Sequence, residues 1–180
     1  MRLKTGCMRK KLLWQWLWGE LNIMDYSFTI RKAVPEDACD IHIILQESFK
    51  KYMKDTGLTN PVEALEESIE DIRRAIETQD VFVAFIDNVP VGTIRVKILP
   101  DGTGYISRFG VRPDYHNIGI GKSLVNLVDK EMKRRGVKKV SLHTASKYKD
   151  LVRFYYSRGF YVESTSTERG YIRALMVKEY

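Results

Sequence analysis

Apolar residues along this chain recur at every second position in some stretches and at every third or fourth in others, and the two periods alternate from Met24 onward. "SFTIRKA" has the two-residue period of a strand. "VPEDACDIHIILQESFKKYM" has the period of a helix, with Pro35 near its start and Ile41, Ile44, Leu45, Ser48 and Phe49 along one face. "TGLTNPVEALEESIEDIRRAIET" reads as a loop and a second helix. Three strand-like runs follow, "VFVAFI", "VGTIRVKIL" and "GYISRFGV", joined by the turn signals "DNVP" and "PDGTG". Links this short make the three strands antiparallel.

Past Val111 the order changes. A helix with Ile120, Leu124, Leu127, Val128 and Met132 on one face runs to "KRRG", where basic residues meet the negative helix end and Gly136 stops it. The strand "KKVSLHTA" comes next, so strand, helix and strand form a crossover that predicts a parallel, right-handed connection. "DLVRFYYSRGF" is a last helix, and "FYVEST" with "GYIRALMVKEY" forms a closing hairpin. The expected fold is a single α/β domain over residues 24–180, a mixed, mostly antiparallel sheet flanked by helices.

Residues 1–23 stand apart as a basic, Trp-rich N-terminal extension. The apolar core of "MRKKLLWQWLWGELNI" is short, is interrupted by Gln15 and has no small-residue cleavage site after it. A bilayer span needs about 20 apolar residues, so no membrane span is expected here. Two readings stay open, an interfacial or partner-docking amphipathic helix and a non-native extension ahead of a start at Met24; the second is preferred, because "MDYSFTIRKAVPEDA" makes a complete domain beginning.

The formal charge of +7 hints at an anionic partner until it is divided along the chain. Arg2, Lys4, Arg9, Lys10 and Lys11 against Glu20 give the extension +4, which leaves +3 for residues 24–180. That balance, with no reader motif, speaks against nucleic-acid binding. Cys7 and Cys39 show no metal or redox spacing and read as inert thiols of a cytoplasmic protein. No metal site is expected.

The candidate chemistry lies in "VRPDYHNIGIGKSL", where Gly119 and Gly121 precede Lys122, Ser123 and a helix. Glycines at a helix start let several N–H groups point at one anion, and the helix dipole adds about half a positive charge there. A nucleotide-type GxxxxGK[ST] loop would need glycine where His116 stands, and a GxGxxG fingerprint would need it at Leu124. What remains is His116-x-x-Gly119-x-Gly121, which resembles the acyl-CoA loop, [Gln/Arg]-x-x-G-x-[Gly/Ala], of the GNAT superfamily of N-acetyltransferases. A second stretch, "LVRFYYSRGFYVE", resembles that family's carboxy-terminal signature: Phe154 and Tyr155 form the aromatic pair, and Gly159 and Phe160 the Gly-Phe ending.

The resemblance covers about 150 residues and departs from the family pattern at His116, at Tyr148 in place of an asparagine, and at Leu151 in place of a small residue. It implies a GNAT-like acyl-CoA N-acyltransferase fold and transfer of an acetyl group from acetyl-CoA to a primary amine, by direct attack in a ternary complex. Asn117, Ile118, Gly119, Ile120, Gly121, Lys122 and Ser123, with His116, are the expected pyrophosphate loop. Phe109, Gly110 and Val111 are the expected contacts of the pantetheine arm, on a strand splayed from its parallel neighbour. Gly110 within that strand marks a bulge or a close backbone approach, and a backbone N–H there suits an oxyanion. Tyr155 is the implied general acid, a phenol whose ordinary pKa near 10 keeps it protonated at neutral pH. Adjacent Tyr156 points elsewhere, since successive helix side chains differ by about 100°.

No general base is legible: His143 and Ser107 reach the strand surface, and His42 reads as structural or exposed. Glu63, Glu66, Glu67, Glu70 and Asp71 read as a solvated helix face, with attraction of a cationic amine as the other reading. The acceptor is an unidentified small-molecule or protein amine, and the assembly a monomer or homodimer. Two rivals remain, a non-catalytic acyl-CoA sensor and, further off, a nucleic-acid binder.

Overall fold

The computed structural model describes residues 27–60 and 62–180. The Trp-rich extension, Cys7 and the start at Met24 lie outside them. Seven strands form one sheet in the order β1-β2-β3-β4-β5-β7-β6: β1 (Phe28–Lys32), β2 (Asp80–Ile86), β3 (Val89–Ile98), β4 (Gly104–Val111), β5 (Lys139–Ala145), β6 (Tyr161–Ser166) and β7 (Arg173–Glu179). Every neighbouring pair is antiparallel except β4 and β5, which are parallel as the crossover predicts. The helices are α1 (Ala38–Thr56), α2 (Glu63–Glu66), α3 (Ile69–Thr78), α4 (Ile120–Arg134) and α5 (Lys149–Tyr156).

Alternation along the strands builds a core on each side of the sheet. Val81 and Val83 of β2 face Ile41, Ile44 and Leu45 of α1 and Ile72 of α3. Phe82 and Ala84, with Ile94 and Val96 of β3, face Leu124, Val128 and Met132 of α4. Of the expected apolar faces, Ile41, Ile44 and Leu45 on α1 and Ile120, Leu124, Val128 and Met132 on α4 are buried, Val125 is added, and Ser48, Phe49 and Leu127 are half-buried. The edge strands β1 and β6 are mostly exposed and charged or polar, which suits strands with one free side.

Three expectations change. The long second helix is two: α2 ends at Glu67, which is extended, and Ser68 caps α3 through the amide of Asp71. The acidic residues are consequently not one solvated face. Cys39 is not a thiol but is disulfide-bonded. The bulge in β4 falls two residues before Gly110: Ser107 pairs with Arg95 and Gly110 with Thr93, so two residues, Arg108 and Phe109, oppose the single Ile94. Arg108 takes the left-handed conformation that this requires, φ 49°.

Candidate active site

The parallel pairing of β4 and β5 is brief. Gly104 pairs with Val140 and Tyr105 with Ser141, and beyond them no pairing joins the strands. The bulge bends β4 away, while β5 stays with β7 through all seven of its residues, to Ala145 opposite Arg173. A gap opens between Ile106–Val111 and Leu142–Ala145. Aromatic rings line its base: Phe109 stacks on Phe154 at 5.8 Å and lies 6.3 Å from Tyr155, which packs edge-on against Phe160 at 5.7 Å.

On one side of the gap lies a groove of about 970 Å³. Phe109, Gly110, Val111, His116, Asn117, Gly119, Ile120, Gly121 and Lys122 all line it, so the two halves of the predicted binding region share one surface. Ile118 and Ser123 do not: Ile118 is 61% exposed, and the Ser123 hydroxyl bonds Gly119 O at 3.1 Å. Gly119 precedes α4 with φ 92°, a conformation open to glycine, and the first turn carries no acid. After His116, the first amide with a backbone acceptor is that of Ser123, to Gly119 O at 3.0 Å. The intervening amides at the helix start are thus available to an anion, with Lys51, Lys122, Lys147, Lys149 and Arg158 along the same groove. This is a donor set that fits a pyrophosphate.

Two predicted residues have structural reasons of their own. A Cβ built on Gly110 would overlap Ser48 Oγ of α1 and lie 3.1 Å from Ser48 Cβ, so the close approach at Gly110 is to a helix. His116 donates from Nε2 to Val111 O at 2.9 Å, tying the loop to the end of β4. Gly121 sits beneath the aromatic rings, where a Cβ would lie 3.1 Å from Phe109 Cζ.

On the other side of the gap is a cavity of about 420 Å³ whose lining includes Tyr155, Thr144, His143, Tyr105 and Ser107. Tyr155 is 4% exposed, and burial pushes its phenol well above the ordinary tyrosine range. Tyr156 is 52% exposed and lines neither space, which agrees with the divergence expected of neighbours on a helix. Tyr105 and His143 share a hydrogen bond of 3.0 Å through His143 Nδ1. Burial lowers the His143 pKa, with Arg173 and Arg169 acting in the same direction and Glu168 against it. His42 is half-buried on α1, its Nδ1 without a hydrogen-bond partner among the described residues, and lines neither space.

Sequence reasoning missed Tyr52, which borders both spaces. Its hydroxyl accepts a 2.8 Å bond from the Ala145 amide, a donor that the splayed strand would otherwise leave open. Tyr148, the departure from the family asparagine, donates to Asp55 of α1 at 2.8 Å and packs edge-on against Tyr52 at 5.8 Å. Burial, and after it Asp55, pushes the Tyr148 phenol up to about 12. Nothing in the local sequence connects these residues, because they meet only through the packing of α1 over the end of β5. Among the described residues no group of His, Cys, Asp and Glu is arranged to hold a metal.

A parallel pair that splays at a bulge, with an anion-ready helix start on one side and a polar cavity on the other, is the arrangement of an acyl-CoA-dependent transferase. The sequence profile of the Acetyltransferase (GNAT) family matches residues 43–160, and the chain belongs to that family; it is an N-acetyltransferase. It is similar to the spermidine N(1)-acetyltransferase of Thermoplasma acidophilum, 28% identical over 148 residues, which are 77% of this chain and 91% of that protein. Its fold is similar to that of the PaiA N-acetyltransferase from Thermoplasma acidophilum in complex with coenzyme A, with TM-score 0.76 and 27% identity over 86% of this chain and 99% of that one. It is also similar in fold to the ribosomal-protein-S18-alanine N-acetyltransferase from Escherichia coli, with TM-score 0.69 and 17% identity over 85% and 94% of the two chains. Among the described residues no helix is long and apolar enough to cross a membrane.

Proposed function

We propose that this protein transfers an acetyl group from acetyl-CoA to a primary amine by direct attack, with the cofactor in the groove and the amine in the cavity. The observation that carries this reading is the gap: groove and cavity lie on its two sides and share Phe109 and Tyr52 as walls, which puts an arm entering from one side within reach of an amine entering from the other. The amides from Asn117 to Lys122 hold the pyrophosphate, and His116 holds the loop. The freed backbone edge from Phe109 to Val111 pairs with the amides of the pantetheine arm as an added strand would. The residues that departed from the family pattern fit this division, since Tyr148 bonds α1 and leaves the arm to backbone groups.

In the reaction the amine nitrogen attacks the thioester carbonyl carbon, a C–N bond forms, the C–S bond breaks, and sulfur leaves as thiolate. A backbone N–H at the bulge stabilises the oxyanion. Tyr155 serves the departing sulfur. A buried phenol is a weaker acid than a thiol, whose ordinary pKa is near 8.5. Tyr155 therefore acts by donating a hydrogen bond as charge develops on sulfur, and gives up its proton only as the proton lost by the amine, relayed through water, restores it.

The test is calorimetry of CoA binding, followed by acetyl-CoA consumption across a panel of amines with mass spectrometry of the product. Binding at micromolar CoA and an acetylated amine are the expected results. CoA binding with no acceptor turned over would mark a sensor, and absence of CoA binding would overturn the reading altogether.

A further inference from the structure

The acceptor cavity has a charge that the sequence did not disclose. Arg95, Lys97, Arg108, Arg169 and Arg173 border it, and Glu63 is the one carboxylate among its lining residues. Glu67 lies behind the wall: it bonds Arg95 at 2.7 and 3.2 Å and Arg108 Nε at 3.1 Å. Glu63 pairs with Arg169 and, at 3.9 Å, with Arg108. With Glu168, close enough to act on His143, five cations stand against three carboxylates among the described residues, an excess of two positive charges.

The excess is not spread evenly. Arg95, Arg108 and Arg169 spend their charge on Glu63 and Glu67, whereas Lys97 and Arg173 have no ion-pair partner among the described residues. Lys97 is exposed at the rim, and Arg173 is half-buried at the start of β7, opposite Ala145, at the splayed end of β5. A half-buried guanidinium without a counter-ion among the described residues is incomplete, because burying an uncompensated charge is costly. A carboxylate completes a guanidinium through two parallel bonds. A polycation meets an excess of positive charge there.

We propose that the acceptor is a primary amine that also carries an anionic group, a carboxylate foremost, which Arg173 binds with Lys97 at the rim, and that polyamines are poor acceptors. This rests on the acetyl-transfer reading and deepens it by naming the substrate class. Of the acidic residues near the cavity, Glu63 and Glu67 are engaged with arginines, and Glu168 alone acts on His143 against them.

The experiment compares matched pairs of amines that differ only in the distal group: 4-aminobutyrate against 1,4-diaminobutane, glycylglycine against its C-terminal amide, and phosphoethanolamine against ethanolamine, with spermidine alongside. The expected result is higher kcat/KM for the anionic member of each pair, by about tenfold to a hundredfold, the worth of one charge-assisted hydrogen bond. Free carboxylates, peptide carboxy termini and phosphates are separated by which pair shows the largest ratio. Arg173→Gln is expected to raise KM for the anionic member with little change in kcat, Arg173→Lys to restore part of the loss, and Arg173→Glu to reverse the preference. CoA affinity, read by calorimetry, is expected to stay constant in all three, since Arg173 does not line the groove. Equal or better turnover of spermidine and diamines by a wild-type enzyme that binds CoA would overturn this proposal and leave acetyl transfer standing. An enzyme that fails to bind CoA would overturn both.

Discussion

The groove and the cavity on the two sides of the gap are built differently. The anion-binding end of the groove is one continuous stretch, the turn and helix start from His116 to Lys122 with their open amides, joined to the end of the strand just before it, while α1 and the segment from Lys147 to Arg158 form its other walls. The cavity is lined by residues of α1, α2, β3, β4, β5, α5, β7 and the segment before it. A backbone site specifies glycines and a helix start, which leave a spacing in the sequence. A side-chain site specifies only what meets in space. The first suits a ligand common to many enzymes, and the second lets one scaffold serve many acceptors.

The largest effect is expected at Tyr155, the proposed proton donor, which lines the cavity. Tyr155→Phe keeps the ring among Phe109, Phe154 and Phe160 and removes only the hydroxyl, so turnover is expected to fall by about 10²–10⁴, the usual worth of a general acid. CoA affinity and melting temperature are expected to change little, and Tyr156→Phe to behave as wild type. Because burial raises the Tyr155 pKa, the wild-type rate is expected not to fall as pH rises through about 10, where an ordinary tyrosine ionises. A steady-state profile with an alkaline limb near 10, or full activity of Tyr155→Phe when chemistry limits the rate, would remove Tyr155 from the mechanism.

Gly110 separates packing from binding. Its Cβ would overlap Ser48 Oγ, so Gly110→Ala is expected to cost about 1–3 kcal/mol of stability, the range for overpacking. Denaturant melts would measure it. Adding Ser48→Ala is expected to recover most of that loss by removing the overlapping oxygen. If Gly110→Ala is as stable as wild type yet binds CoA poorly, the glycine serves the ligand and not the helix.

The sheet and helices were legible because their signal is periodic and local: Ile41, Ile44 and Leu45 on α1, and Leu124, Val128 and Met132 on α4, had to face the sheet. The loop was legible for the same reason, as two glycines at a helix start. The break between α2 and α3 was hidden because Glu67 reads as helical on propensity, and its extended backbone accompanies a long-range ion pair with Arg95, 28 residues away. The bulge was displaced toward Gly110, although Arg108 takes the left-handed turn and Gly110 makes room for Ser48. The positive character of the cavity was hidden because Arg95, Arg108 and Arg173 are scattered over three strands, and a count of acids along α2 and α3 has the opposite sign.

A backbone-built groove is expected to be more sensitive to bulk than to the loss of a side-chain charge. Gly121→Glu adds both bulk and an anion at the helix start, beneath Phe109, and CoA affinity is expected to fall at least tenfold, about 1.4 kcal/mol. Unchanged affinity by calorimetry in a folded variant would remove the loop from the binding site.

His116 gives the smallest expected effect and the finest test of the same comparison. Its Nε2 donates to Val111 O from an exposed position, so His116→Ala loses one neutral hydrogen bond, worth about 0.5–1.5 kcal/mol at most. The loss is expected to appear as a modest weakening of CoA binding, below about tenfold, with little change in melting temperature. His116→Gln, which keeps a donor for Val111 O, is expected to recover it. His116→Arg brings the family's cationic residue to a loop already served by its amides, and affinity is expected to hold or improve. If His116→Arg weakens binding while His116→Gln does not, the tether to β4 outweighs charge in this loop. If His116→Ala costs as much as Gly121→Glu, the groove depends on a side chain after all, and the division between a backbone site and a side-chain site fails at this residue.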